Sequence, residues 1–217
     1  MNKTILVTRP NHDSTTDYLY HWSKPVIDVA NKKMFKVLDL DGKKANRKYF
    51  ESYLESKNPS LVFLNGHGSE NEIAGYDNEI LIDSSSLDSK KLSNKILYAR
   101  SCRSALVLGK NSVSKGGVKA FIGYSRDFVF LIDKNYITRP YLDPVAKLFL
   151  EPSNLIPTTL IKGHTSKEAH IRSKAAMRTN LFKSLSSNAS ESESQSAPFL
   201  LSDMTSQTLH GDVMATL

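Results

Sequence analysis

Short apolar runs alternate with segments of helical pattern along this chain, and that alternation restricts the fold more than any other feature. The runs lie at residues 4–8, 35–40, 61–64, 95–101 and 118–124, and each has the length of a buried strand. A repeated strand, helix, strand order is the signature of a parallel sheet covered by helices. We therefore predict an α/β fold, a three-layer αβα sandwich with a mostly parallel central sheet.

Capping patterns mark where several helices should begin. Ser14 opens an S-x-x-D pattern, Asp143 precedes a proline, and Thr165 opens a T-x-x-E capping box. Pro25 should kink or end the first of these helices, because proline lacks the N–H of the helix ladder. Residues 73–82 contain two short apolar runs around a turn, which predicts a small β-hairpin over the sheet edge.

Length and composition favour a single domain over residues 1–217. The 217 residues are 40% hydrophobic and contain no internal repeat, so the chain can bury one sizeable core. Residues 184–198 are largely Ser, Asn and Glu, which cannot form a core, and we predict a flexible loop there. The apolar run 199–201 is then expected to return to the sheet.

The composition also bears on compartment and partners. With one cysteine the chain can form no internal disulfide and no cysteine-based zinc cluster, which fits a reducing compartment. The N-terminal apolar stretch is too short for a signal peptide and no run approaches a membrane span, so we expect a cytoplasmic protein with no membrane partner. The net charge is +7, yet the basic residues are scattered among acids, so nucleic acid is not expected as the main ligand.

A histidine and the single cysteine each follow a predicted strand. His67 lies in the string NGHGS after the run 61–64, and Cys102 comes directly after the run 95–101. In parallel α/β sheets ligands bind at the carboxyl ends of the strands, where these two side chains would meet despite their separation in sequence. This is the layout of a cysteine nucleophile with a histidine partner.

The residue types suit that chemistry. A helix N-terminus or a neighbouring imidazole lowers the pKa of a thiol and so favours the nucleophilic thiolate, and Cys102 precedes a helix expected to start at Ser104. His67 would give a proton to the leaving amine. The backbone N–H groups of Gly68 and Cys102 are the expected donors to an oxyanion.

Three residues next to His67 and Cys102 are candidates for a substrate pocket. The remaining histidines are not candidates for the site. The pocket candidates are Asn65, Arg100 and Ser101. We predict no metal ligands and no cofactor. The histidines without a comparable setting, in predicted loops or helices, are His12, His21, His164, His170 and His210.

Several strings resemble the caspase-like (clan CD) cysteine peptidases, most closely the CHAT and gingipain-type branches. They are LVFLNGHGS, GYDNEILID, KILYARSCRSA and VKAFIGYSR, which together span about residues 60–130. The resemblance implies a caspase-like fold, a His67 and Cys102 dyad, and a cysteine endopeptidase that cleaves a specific protein substrate. Members that cleave after basic residues often place an acid two residues before the cysteine. Arg100 stands there instead, which favours an acidic or uncharged P1 residue.

Alternative interpretations remain open at this point. Cys102 and His67 could serve packing alone, because free cysteine is among the most buried residue types, and the chain would then be a catalytically silent caspase-like interaction module. A flavodoxin-like nucleotide binder has the right topology but the wrong loop, since no Gly-rich phosphate loop is present. The basic segment around Arg172 and Arg178 either docks an acidic regulatory protein or is a solvated face.

Overall fold

A computed structural model describes residues 3–217, and its strands form one large sheet and one hairpin. The strands are β1 Thr4–Arg9, β2 Lys36–Asp41, β3 Leu61–Asn65, β4 Glu72–Ala74, β5 Ile80–Asp83, β6 Ile96–Arg100, β7 Ala120–Tyr124 and β8 Gln207–Gly211. The six-stranded sheet has the order β2-β1-β3-β6-β7-β8, and every pairing in it is parallel except the antiparallel β7–β8 pair. The predicted hairpin is the antiparallel pair β4–β5.

Within residues 3–217, seven α-helices surround the large sheet. They are α1 Ser14–Lys32, α2 Arg47–Lys57, α3 Ser89–Leu92, α4 Leu108–Ser114, α5 Pro144–Ile161, α6 Ser166–Ser184 and α7 Glu191–Ser206. Apolar residues of α1, α5 and α6 pack on one face of the sheet, and those of α2, α3 and α4 pack on the other. Side chains alternate accordingly along a strand, with Ile5 and Val7 in the first layer and Leu6 in the second. The predicted three-layer α/β fold is confirmed.

Helix α1 differs from its predicted form at both ends. Its N-cap is Asp13, one residue before the predicted start, and Asp13 and Thr16 form a reciprocal capping box. The helix also continues through Pro25 to Lys32, so of the two predicted effects, a kink or an end, the end is wrong. Val26 and the apolar residues around it are buried in the core, and this packing holds the helix together where one backbone hydrogen bond is lost.

The Ser-rich segment near the C-terminus is helical over most of its length. Helix α7 begins at Glu191 behind a capping box made by Ser190 and Glu193, so the prediction of a loop over 184–198 is wrong from residue 191 onward. Leu200 is buried against α5 and α6 as part of this helix, and the chain returns to the sheet only at β8. Within residues 3–217, no helix is long and apolar enough to span a bilayer.

Candidate active site

The two predicted catalytic residues leave the sheet at the same level. Strands β3 and β6 are parallel neighbours, and their register pairs Asn65 with Arg100 at the carboxyl ends. His67 and Cys102 each come two residues after that pair. The loop that carries the imidazole and the loop that carries the thiol therefore begin side by side.

Both side chains line one cleft of about 250 Å³. The N-terminus of α1 and the segment after β7 complete its walls. Its lining consists of Ser14, Thr15, His67, Cys102, Phe128, Val129, Phe130 and Ile132. The two side chains thus line the same cleft, as the strand order predicts, and half of the lining residues are apolar: Phe128, Val129, Phe130 and Ile132.

A carboxylate that the sequence did not indicate holds His67. Asp13 Oδ2 lies 2.6 Å from His67 Nε2, while Asp13 Oδ1 accepts a hydrogen bond from the Thr16 backbone at the start of α1. Burial raises the pKa of Asp13, but the hydrogen bonds from Thr16 and His67 outweigh burial and lower the pKa to about 2. A carboxylate can only accept, so the proton of a neutral His67 lies on Nε2 and its Nδ1 is the free base.

The thiol of Cys102 is partly buried and protonated at rest. Burial raises its pKa, and its Sγ donates a weak hydrogen bond to the Phe128 carbonyl oxygen at 3.8 Å. The expected help from a helix N-terminus is missing, because turns occupy the residues after Cys102 and α4 begins only at Leu108. That prediction is wrong, and ionisation of the thiol depends on a base.

The backbone at Gly68 approaches the cysteine loop closely. A Cβ at position 68 would lie 2.1 Å from Ser101 Oγ and 2.8 Å from the Glu72 carbonyl oxygen, so only glycine fits there. In the part of the chain that the structure describes, neither the Gly68 N–H nor the Cys102 N–H has a protein acceptor. Both N–H groups are therefore unpaired within residues 3–217, next to the loop that carries Cys102.

The three residues expected in a substrate pocket lie outside the cleft. Arg100 and Asn65 are fully buried and Ser101 is 2% exposed. Arg100 donates to neutral oxygens beneath α1 and α5, and burial lowers its pKa to about 10. Its acceptors are Asn65 Oδ1, Ser153 Oγ, Asn154 Oδ1, Ser23 Oγ and the Leu19 carbonyl oxygen. Arg100 thus fastens two helices to the sheet, and it is not among the residues that line the cleft.

His12 also belongs to this region, although its sequence setting gave no reason to select it. Its side chain is 10% exposed, its Nε2 lies 3.6 Å from Asp13 Oδ2, and its ring packs edge-on against Tyr76. His12 and Asp13 follow β1, which borders β3, so both lie at the same sheet edge as His67. The string NHD after the first strand was the available signal, but the strand order that gives it meaning is not visible in the sequence.

Comparison with known proteins places the fold. No family model matches the sequence, and no curated protein matches it. The solved structures that match include the Arg-specific cysteine proteinase gingipain R, with a TM-score of 0.61, 12% identity, and coverage of 99% of this chain and 47% of that chain. A complex of the pro- and mature domains of RgpB from Porphyromonas gingivalis has a TM-score of 0.58 at 12% identity, covering 99% of this chain and 49% of that chain.

These similarities define the fold class. The chain spans about half the length of the gingipain chains that it matches. It has the caspase-like fold, in which a mostly parallel sheet lies between two helical layers. The cleft described above lies at the carboxyl ends of strands β3 and β6 of that sheet.

Proposed function

We propose that this protein is a cysteine endopeptidase of the caspase-like type, with Cys102 as nucleophile and His67 as general base and acid. The observation that carries the proposal is the single cleft that both side chains line, with Asp13 hydrogen-bonded to Nε2 of the imidazole. The similarity to a cysteine proteinase fold supports it. The proposed substrate is a peptide segment of another protein.

The reaction begins with a proton transfer. Because burial raises the pKa of the Cys102 thiol, the proton moves to His67 Nδ1 as the thiol attacks the substrate carbonyl. The resulting imidazolium is stabilised by the Asp13 carboxylate, and the oxyanion accepts hydrogen bonds from the N–H groups of Gly68 and Cys102. His67 then gives its proton to the leaving amine, and a thioester remains on Cys102. Water attacks that thioester with His67 as base and releases the carboxylic acid.

The cleft favours an uncharged side chain beside the cleaved bond. Its wall from Phe128 to Ile132 is apolar, and none of the residues that line it carries a carboxylate. An arginine or lysine would lose its hydration there without gaining a counter-ion. The gingipain neighbour is described as Arg-specific, and we propose that this chain is not.

A peptide library gives the test. The wild-type protein and Cys102→Ala are incubated with a diverse peptide pool, and the products are sequenced by mass spectrometry. His164→Ala is the control, since His164 lies just before α6, pairs with Glu168 of that helix and does not line the cleft. We expect cleavage by the wild type and the control, with uncharged residues before the cut, and none by Cys102→Ala. Equal products from all three proteins would refute the assignment.

One observation favours a second candidate, a caspase-like interaction module without turnover. The thiol of Cys102 donates to the Phe128 carbonyl oxygen, an arrangement that a purely structural cysteine would also adopt. The rate of Cys102 alkylation by iodoacetamide near neutral pH separates the two. The peptidase requires slower alkylation in His67→Ala than in the wild type, whereas an interaction module gives equal rates.

A further inference from the structure

Two histidines and a carboxylate converge behind the catalytic cleft. His12, His67 and Asp13 each offer one ligand atom, and these three atoms all lie within 4.8 Å of one another. Histidine is the commonest metal ligand in proteins. Two histidines and a carboxylate together form a ligand set known from zinc sites with three protein ligands. No part of the proposed peptidase reaction uses His12.

The distances from the Asp13 carboxylate oxygen to the two histidine nitrogens lie on either side of the spacing between ligand atoms of a zinc ion. Ligand atoms of a tetrahedral zinc ion lie about 3.3 Å apart, because its bonds to nitrogen and oxygen are about 2.0–2.1 Å long. Asp13 Oδ2 lies 2.6 Å from His67 Nε2 and 3.6 Å from His12 Nε2. Both distances are therefore within about 0.7 Å of the spacing that zinc ligands take.

His12 supplies the independent sign of a ligand. Its side chain is 10% exposed, and within residues 3–217 neither ring nitrogen has a hydrogen-bond partner. Burying an imidazole without partners costs free energy that a metal ion would recover. The imidazole cannot turn freely to find water, because it packs against the rings of Tyr76 and His67.

We propose that His12, Asp13 and His67 form an inhibitory binding site for Zn²⁺ or a transition-metal ion of similar preference. Nitrogen donors select such ions over Mg²⁺ and Ca²⁺, which take oxygen ligands. A water molecule would fill the fourth position, since His67 and Asp13 are each about two-fifths exposed, at 41% and 38% of their side-chain surfaces.

The inhibition follows from the protons of one imidazole. In the active form Nε2 of His67 carries the proton that Asp13 accepts, and Nδ1 holds the lone pair that takes the thiol proton. A metal ion binds the Nε2 lone pair, so the proton of the neutral ring must move to Nδ1. Nδ1 then becomes a donor, the Cys102 proton has no acceptor, and Asp13 no longer supports the imidazolium because it binds the metal ion. This effect on activity rests on the proposed peptidase function, whereas metal binding does not.

Titration calorimetry with zinc chloride tests the site itself. Wild type, Cys102→Ala, His12→Phe and His21→Phe are compared. Phenylalanine keeps a ring against Tyr76 while removing the nitrogen ligands. His21 is the matched control, since it lies 3.7 Å from Asp17 without a third ligand. We expect one zinc ion per chain for wild type, Cys102→Ala and His21→Phe, and at least about tenfold weaker binding for His12→Phe.

Two calorimetric results would overturn the site. Equal zinc affinity of His12→Phe and wild type would exclude His12 as a ligand. Loss of binding in Cys102→Ala would show that the thiol is a metal ligand.

Peptide cleavage is then measured for each protein with zinc, relative to its own rate in EDTA. Strong inhibition of wild type and weak inhibition of His12→Phe support the regulatory role, and equal inhibition refutes it. A wild type that binds zinc yet cleaves nothing in EDTA would refute the peptidase and leave the metal site standing.

Discussion

Arg100 and Cys102 are two residues apart, yet their surroundings differ in kind. Arg100 is fully buried, and its guanidinium donates to oxygens of the sheet, α1 and α5. Cys102 is partly exposed in a cleft, with one weak hydrogen bond and free backbone N–H groups nearby. A buried polar group with all its hydrogen bonds made fixes one arrangement of the chain. Polar groups without protein partners can instead bind a ligand or substrate. At the end of β6, a residue that stabilises the fold, Arg100, is therefore followed two positions later by the proposed nucleophile, Cys102.

The sharpest test of the chemical side is His67→Ala. Removing the histidine that lines the cleft leaves the Cys102 proton without its proposed acceptor, so kcat/KM for a cleaved peptide should fall by about 10⁴-fold or more. Thermal unfolding should change little, since the His67 side chain is 41% exposed. A loss of less than about tenfold would make His67 a bystander and break the comparison.

Asp13→Asn tests how much of that activity depends on charge behind the imidazole. Asparagine is as good an N-cap as aspartate, so α1 should keep its start and the free energy of unfolding should change by less than about 1 kcal/mol. The imidazolium loses its counter-charge, so kcat/KM should fall by about 10²- to 10³-fold. Kinetics and chemical denaturation of the same sample separate the two effects. Unchanged kcat/KM would show that Asp13 is only a helix cap.

The structural side is tested by Arg100→Met. The substitution leaves the acceptors around the guanidinium unpaired in the interior, so the free energy of unfolding should drop by about 3 kcal/mol or more. Urea denaturation measures the drop, with Arg47→Ala as control. Arg47 makes an exposed ion pair with Glu51 on α2 and should matter by less than about 1 kcal/mol. If the two variants lose equal stability, the network around Arg100 does not hold the helices.

A smaller effect is expected at Asp203, which borders the cleft wall. Asp203 Oδ1 accepts a hydrogen bond from the Val129 backbone, and burial raises the pKa of the carboxyl well above its usual value. The folded form thus binds the proton more tightly than the unfolded form, and stability falls as pH rises above about 4. Between pH 5 and 8 the free energy of unfolding should therefore decline in wild type and stay more nearly constant in Asp203→Asn. Identical pH profiles would contradict this account.

One sequence pattern predicted both the layers of the fold and the placement of His67 and Cys102 at one cleft, while their catalytic roles stay a prediction. Strands buried on both faces are continuous apolar runs, and residues directly after them must lie at one sheet edge. His67 and Cys102 were found in this way. Asp13 and His12 follow β1 in the same manner, but the placement of β1 beside β3 is a property of the three-dimensional sheet.

Two predictions from the sequence were wrong, those for the Ser-rich segment and for Arg100. The Ser-rich stretch after α6 was interpreted as a loop from its residue types, although Ser190 and Glu193 carry the spacing of a capping box. Arg100 was predicted to affect the substrate pocket because it stands two residues before Cys102, where similar enzymes that cleave after basic residues often place an acid. Only the packing of α1 and α5 shows that its partners are neutral oxygens in the interior.

Covalent trapping tests the peptidase assignment most directly. A peptidyl acyloxymethyl ketone with an uncharged side chain next to the warhead is incubated with native protein, and the adduct is mapped by mass spectrometry. The account predicts one adduct on Cys102 of the wild type, with labelling greatly slowed in His67→Ala and abolished when the protein is unfolded. Absence of the adduct from native wild-type protein, or equal labelling of His67→Ala, would contradict it.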